Sequence, residues 1–370
     1  MEYDNYFIYE DYFIFKPEFN EPIDEYIGII KTCKKLIFLD YYESDPNIKI
    51  IYKNIKKDGK FHSSFFNQLL NDSLNELIDL EELTFGWEFS QPLFDSLNQL
   101  ENLIKLKFGK SFNQPLSNSL NKLNKLKELT FGISFNQPLS NSLDNLVNLK
   151  KLTFGNCFSQ PLSNSLDKLI ELEELNLGVD FSQHLTTSLD RLTKIKTLTF
   201  SMEFNQPIDN SLKNLTQLNK LAFGYNFNQP LFNSLEKQTQ LDELIFGYYF
   251  NQQLNNVLAQ LVQLKKLTLG MCYKQKLDLS SNITNLTLYS NNQYLIDNLP
   301  NSIQIIKLGW KFNLPLDNLP NSIKILSFEH DSFYNKELNN LPYSLELLEL
   351  PCSYKCTPSN LPKHCKILYL

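Results

Sequence analysis

Arginine is almost missing from this 370-residue chain: Arg191 is the only one, so nearly all of its 35 basic residues are lysines. Bidentate recognition of phosphate or guanine relies on the arginine fork. A formal net charge of −6 supplies no basic field either, so no nucleic-acid partner is expected. No run of about 18 apolar residues occurs, which gives no membrane-spanning helix. The start, Met1-Glu2-Tyr3-Asp4-Asn5-Tyr6, lacks the basic and apolar regions of an export signal. Six cysteines in a chain of this length make no disulfide framework. Together these shortages point to a reducing, cytoplasmic setting.

Glycine is also scarce, and its placement is informative. Of 11 glycines, eight (Gly86, Gly109, Gly132, Gly155, Gly178, Gly224, Gly247 and Gly270) fall in one slot of a repeat, and Gly309 takes the analogous place. Only Gly28 and Gly59 are left over, and no phosphate-binding loop can be composed from them. The four histidines, His62, His184, His330 and His364, are scattered, and no hydrolase or zinc-protease motif occurs. Cys352, Cys356, His364 and Cys365 form the one cluster with ligand chemistry. They lack the two tight pairs of a zinc site, and Cys365 takes the slot held by Ile303, Ile323 and Leu345, so it reads as core. No catalytic residue, cofactor or metal is expected.

What the chain does have is register. Phe66-Asn67-Gln68-Leu69-Leu70 recurs at Phe89, Phe112, Phe135, Phe158, Phe181, Phe204, Phe227, Phe250 and Tyr273, always 23 residues on, and the Gln slot is filled every time. After Leu288 the unit shortens to 20–22 residues and carries Leu-Pro, as in Leu299-Pro300-Asn301-Ser302-Ile303 and Leu319-Pro320-Asn321-Ser322-Ile323. Phe19-Asn20-Glu21-Pro22-Ile23 begins an earlier unit, and residues 42–65 read as a degenerate repeat or an insertion. The expected organisation is degenerate repeats and a cap over residues 1–65, regular repeats over 66–288, and shorter repeats with a C-terminal cap over 289–370, all in one solenoid.

Each unit has a physical reading. The Leu-x-Phe pair alternates with polar residues, so it predicts a short strand with Leu and Phe inward. Glycine closes it, as expected for a tight or left-handed turn. Leucines spaced by three then predict a 3₁₀ or irregular turn on the opposite side. One unit cannot bury its apolar edge alone; stacked units share a core. The repeated Gln reads as a buried amide ladder, and the repeated Ser (Ser96, Ser119, Ser142) as turn residues.

Phe-Asn-Gln-Pro-Leu with Leu-x-Phe-Gly, and Leu-Pro-Asn-Ser-Ile in the later units, resemble the FNIP repeat, a leucine-rich-repeat relative of social amoebae and of giant viruses that infect amoebae. The resemblance implies an α/β-type, leucine-rich-repeat-like right-handed coil, with one long parallel β-sheet and short 3₁₀ or irregular convex segments. It also implies a non-enzymatic protein-interaction scaffold in the cytoplasm (the host's, for a viral protein), and a monomer is expected. Some relatives carry an N-terminal F-box and serve as substrate-recognition subunits of ubiquitin ligases. Residues 1–60 lack that opening pattern.

Recognition should sit on outward-facing slots. The residue before each strand leucine runs Glu82, Lys105, Glu128, Lys151, Glu174, Thr197, Lys220, Glu243, Lys266. That is either a self-neutralising ladder or a charge-patterned strip. Variation collects in the two slots after glycine, where aromatic residues resemble the anchors of protein interfaces. The candidate partner-binding residues are Trp87, Lys110, Tyr225, Tyr248, Tyr249 and Trp310. A solvent-facing loop slot would vary as freely.

Overall fold

A computed structural model of the chain describes residues 3–40 and 63–370. The chain forms two compact units, Met1–Lys194 and Ile195–Leu370. Each is a β-solenoid of parallel stacked turns. Helix is confined, among the described residues, to three segments of four to six residues: α1 (Ile27–Ile30), α2 (Asn255–Gln260) and α3 (Gln293–Asp297).

In the first unit β1 (Tyr6–Tyr9) folds back antiparallel on β2 (Tyr12–Phe15). A parallel ladder then runs through β3 (Lys35–Phe38), β4 (Glu82–Thr84), β5 (Lys105–Lys107), β6 (Glu128–Thr130), β7 (Lys151–Thr153) and β8 (Glu174–Asn176). The direct pairing of β3 with β4 decides how the residues between them are read. Asn67 N–H donates to Asn20 Oδ1 at 2.9 Å across 47 residues instead of the usual 23, and Phe19 stacks on Phe66 at 5.9 Å. The coils of Phe19 and Phe66 are therefore neighbours. Ser64 N–H donates to Asp40 Oδ1 at 2.8 Å. Most of the 42–65 stretch, with His62 and Gly59, lies outside the described residues.

The second unit has β9 (Thr197–Thr199), β10 (Lys220–Ala222), β11 (Glu243–Ile245), β12 (Lys266–Leu269), β13 (Asn285–Leu288), β14 (Ile305–Leu308), β15 (Ile325–Phe328), β16 (Leu347–Leu350) and β17 (Lys366–Tyr369). All are parallel and in register. The change of repeat length after Leu288 lies within this unit.

The strands are shorter than the sequence predicts. In the 23-residue coils they cover x-Leu-x and stop before Phe, although Phe85 N–H still donates to Lys107 O at 2.8 Å. Both apolar residues point inward as expected, Leu83 and Phe85 being fully buried. The phenylalanines form two parallel columns. Phe85 lies 4.0 Å from Phe89 within a coil, and Phe85–Phe108 and Phe89–Phe112 repeat at 5.6 and 6.1 Å between coils, with rings within 10° of parallel. Each such offset pair adds about 0.5–1.5 kcal/mol to its area burial.

The glycine column has a different cause from the one expected. Among the glycines of this column only Gly178 has positive φ (+80°). At Gly109, Gly132 and Gly155 a Cβ would lie 1.6–1.7 Å from the carbonyl oxygen of the glycine one coil earlier. The backbones touch here, and any side chain would force the coils apart. Left-handed backbone occurs elsewhere, just after the Leu that opens each convex segment, and there it is carried by side chains: Phe94, Ser117, Ser140, Ser163, Thr186 and Phe232.

The convex side is a chain of tight turns. Ser96 N–H donates to Leu93 O, Leu100 to Leu97 and Leu103 to Leu100, each three residues back, as the leucine spacing predicts. The amide ladder is real but half-exposed rather than buried. Gln91 Nε2 donates to Asn67 O at 3.0 Å, and Ser90 N–H donates to Asn67 Oδ1 at 2.9 Å. The Asn or Ser before most of these Gln residues is thus as much a part of the coil-to-coil stitch as the Gln itself. Cys365 departs from the core reading: Ile303, Ile323 and Leu345 are fully buried, but its own coil is the last of the chain described here, and it stays half-exposed.

Candidate recognition edge

The outward face of the strand ladder is neutralised from within. Glu82, Lys105, Glu128, Lys151 and Glu174 stand in register. Lys105–Glu128 (3.9 Å), Lys151–Glu174 (2.9 Å) and, in the second unit, Lys220–Glu243 (3.0 Å) are ion pairs. The hydrogen bond to Glu174 holds the Lys151 ammonium above its ordinary pKa, against partial burial. Such exposed pairs contribute at most about 1 kcal/mol each. Between them the half-exposed Thr130 and Thr153 present little shape for a partner to grip.

The edge after the glycine column differs. Its backbone is stitched from coil to coil by one repeated bond: Ser111 N–H to Trp87 O, Ser134 to Lys110, Tyr249 to Tyr225 and Cys272 to Tyr248, at 2.8–3.0 Å. The two variable slots therefore sit on a fixed frame, unlike a loose loop. In the first unit Lys110 Nζ lies 3.9 Å from the centroid of the Trp87 ring, a cation–π contact, while Trp87 N–H donates to Asp40 Oδ1 at 3.0 Å.

In the second unit Tyr225 and Tyr248 stack at 4.7 Å, and Tyr249 meets both edge-on at 5.2 and 4.9 Å. Tyr225 and Tyr249 remain 39% and 48% exposed, a large aromatic surface for a residue type usually half-buried. Local desolvation, then the neighbouring Tyr249 and Tyr248, push the Tyr225 phenol up.

The sequence placed Trp310 apart from these tyrosines; the fold brings it to the same hollow. Tyr225, Tyr248, Gly247, Gly270, Tyr289 and Trp310 border a cavity of about 200 Å³, with Phe246 and Met271 beneath. Tyr289 is the residue that sequence reasoning missed. Its strand pairs Leu288 with Leu269 and Leu308, so Tyr289 stands in the glycine column between Gly270 and Gly309. Its presence there could have been read from the sequence as the one tyrosine following a Leu-x-Leu strand. Glu329 fixes this end: its Oε2 accepts from Trp310 N–H at 2.9 Å, and burial followed by the nearby Glu329 carboxylate raises the Tyr289 phenol.

Beyond Trp310 a wider open depression of about 810 Å³ is bordered by Lys307, Glu329, His330, Asp331 and Glu349. Lys311 Nζ lies 4.3 Å from the centroid of Trp310, and Phe333 meets that ring edge-on at 6.1 Å. Chemically the edge offers aromatic faces, few hydrogen-bonding groups and carboxylates at one end. Of the sequence's ligand-type cluster, Cys356 Sγ donates to Asn335 O at 3.7 Å and Cys365 Sγ to Lys366 O at 3.5 Å. No group of three or more metal-ligating side chains comes together among the described residues. No helix among them is long and apolar enough to cross a membrane.

Comparison with known proteins fits this geometry. The FNIP Repeat family pattern matches residues 291–331. A circular leucine-rich-repeat protein of the giant virus CroV superposes with a TM-score of 0.76 and 28% identity, over 99% of this chain and 50% of its own length. This chain therefore spans half the length of that relative. An internalin of Listeria monocytogenes is similar at a TM-score of 0.58 and 15% identity, covering 86% of each chain. A chain of the Toll–Spatzle complex of Drosophila reaches 0.57 at 13% identity, over 94% of this chain and 47% of its own. The last two share the fold alone. No curated protein matches the sequence. With its strict repeat register, its glycine column and its parallel coil, this chain has leucine-rich-repeat architecture and carries an FNIP repeat at residues 291–331.

Proposed function

We propose that the chain is a non-enzymatic, monomeric scaffold that binds a protein partner in the cytoplasm, and that it does so through the post-glycine edge. Trp87 and Lys110 would serve in the first unit, and Tyr225, Tyr248, Tyr249 and Trp310 in the second. One observation carries this reading: the fold spends its repeated residues on core and stitching, yet holds an exposed tyrosine trio beside an aromatic cavity on a fixed backbone frame. Aromatic residues in such settings dominate binding energy at protein interfaces. The threonine-rich strand face, by contrast, is flat and its charges are already paired.

The test is a capture experiment from the native cell, with the full chain and with Tyr248→Ala and Trp310→Ala as baits. A specific partner should be retained by the parent and lost by both variants at unchanged melting temperature. If both variants hold the same partner as tightly as the parent, the edge is not the recognition surface. Recovery of a cullin adaptor in that experiment would instead favour a ligase subunit.

A further inference from the structure

The cavity at Tyr248 and Trp310 says something about what enters it. We propose that this hollow takes a proline-rich segment in the polyproline II conformation, with an arginine or lysine at its Trp310 end. The proposal rests on the reading of the edge as a recognition surface.

Other extended or helical occupants fit less well. A peptide added as a strand needs an unpaired sheet edge, and β11 to β14 are paired on both sides. A helix, about 10 Å across, is too wide for a 200 Å³ hollow. The hollow is instead a set of aromatic ridges around a floor that Phe246 and Met271 share with two glycines. Gly247 and Gly270 carry no side chain because the coil contact forbids one, and Tyr248 and Tyr289 rise on either side, two coils apart. Two coil spacings are about 9.6 Å. Three residues of polyproline II rise about 9.3 Å and return to the same face. Two residues three apart in such a peptide would thus meet Tyr248 and Tyr289 in step, with Trp310 one coil further on.

Chemistry agrees with spacing. Prolines bring no N–H that would demand an acceptor from this mainly apolar lining, and their stiffness lowers the ordering cost of binding. The ridges are held in advance: Tyr248 by Tyr225 and Tyr249, and Trp310 by Glu329 at its backbone N–H and by Phe333 at its ring. Past Trp310 the depression presents Glu329, Asp331 and Glu349 against Lys307, with Lys311 over the Trp310 ring at 4.3 Å and His330 on Asp331 at 2.8 Å. That excess of carboxylate is complementary to a basic residue flanking the prolines.

Trp87 and Trp310 are the only tryptophans, so Trp87→Phe leaves Trp310 as the sole reporter. Synthetic peptides of one arginine and seven prolines should shift its emission saturably. Replacing the prolines by alanines should weaken binding about tenfold or more, and replacing arginine by glutamate should weaken it several-fold. Tyr248→Ala should abolish the response without lowering the melting temperature. Calorimetry on the parent chain keeps the test readable if Trp87→Phe folds poorly. Equal binding of the alanine peptide overturns the proline assignment, and equal binding of the glutamate peptide overturns the charge assignment. If no peptide binds while Tyr248→Ala still loses its captured partner, the edge reading stands and this ligand class fails; if capture is also unaffected, both fail.

Discussion

Tyr273 ends the 23-residue array in a slot that its earlier coils fill with phenylalanine; it is stacked on Phe250 at 6.2 Å and fully buried, and its hydroxyl finds no partner in the structure. A stranded buried hydroxyl costs about 1–3 kcal/mol. Tyr273→Phe is therefore expected to raise stability by about 1 kcal/mol, read as a higher denaturant midpoint. Burial also raises the phenols of Tyr273, Tyr334 and Tyr354, the last to about 12, above the ordinary 10.0. The unfolded chain loses these protons first, so stability present below pH 10 falls as pH climbs through the folded-state values. Alkaline melting curves should show that fall, and Tyr273→Phe should reduce its slope. Strain is concentrated at the left-handed slot. Thr186 there is β-branched at φ 35°, where Asn71 fills the same slot at 41°. Thr186→Asn should gain about 1 kcal/mol in thermal or chemical denaturation. Neither residue announces itself in the sequence. Tyr273 reads as a tolerated variant of Phe, and a positive φ at a Ser or Thr slot has no sequence signature comparable to glycine's.

At the scale of the single coil, the sequence told more. Inward Leu and Phe, the turn after each leucine triplet and the alternating charge ladder all follow from period and composition, and the structure contains them. Two features did not follow. The strand ends one residue early, and glycine serves close approach rather than turning. Both depend on the distance between coils, which no single repeat encodes. The glycine explanation makes a sharp contrast. Gly132→Ala drives a methyl into Gly109 O at 1.6 Å and should cost about 1–3 kcal/mol or more. Gly28→Ala in α1 meets nothing within 4 Å and should be neutral or stabilising by about 0.5–1 kcal/mol. Equal effects in paired urea titrations would show that the column is not a contact.

For the molecule as a whole, each coil touches mainly its neighbours, so damage should stay local. Phe154→Ala empties a place between Phe131 (5.7 Å) and Phe158 (4.0 Å) and should cost about 3–5 kcal/mol. Amide exchange should report loss of protection at β6, β7 and β8 first, decaying away from them. Loss of protection spread evenly over the chain would contradict a nearest-neighbour array. Tyr248→Ala, on the exposed edge, should leave that pattern untouched. The candidate site was legible only as a list of varied slots. That Trp310 and Tyr248 share one hollow depends on Tyr289 entering a column mostly of glycine, and on how four successive coils register.

The glycine column also governs how such a chain can change over time. Because each coil rests backbone-to-backbone on the one before, losing or gaining part of a period would push a side chain into that contact. Within the 23-residue array, length should therefore change by whole coils. The residues after each glycine escape this constraint. They can be exchanged one coil at a time, at a constant pitch, which makes the edge a place where new specificity can arise by transplanting single coils without redesigning the rest.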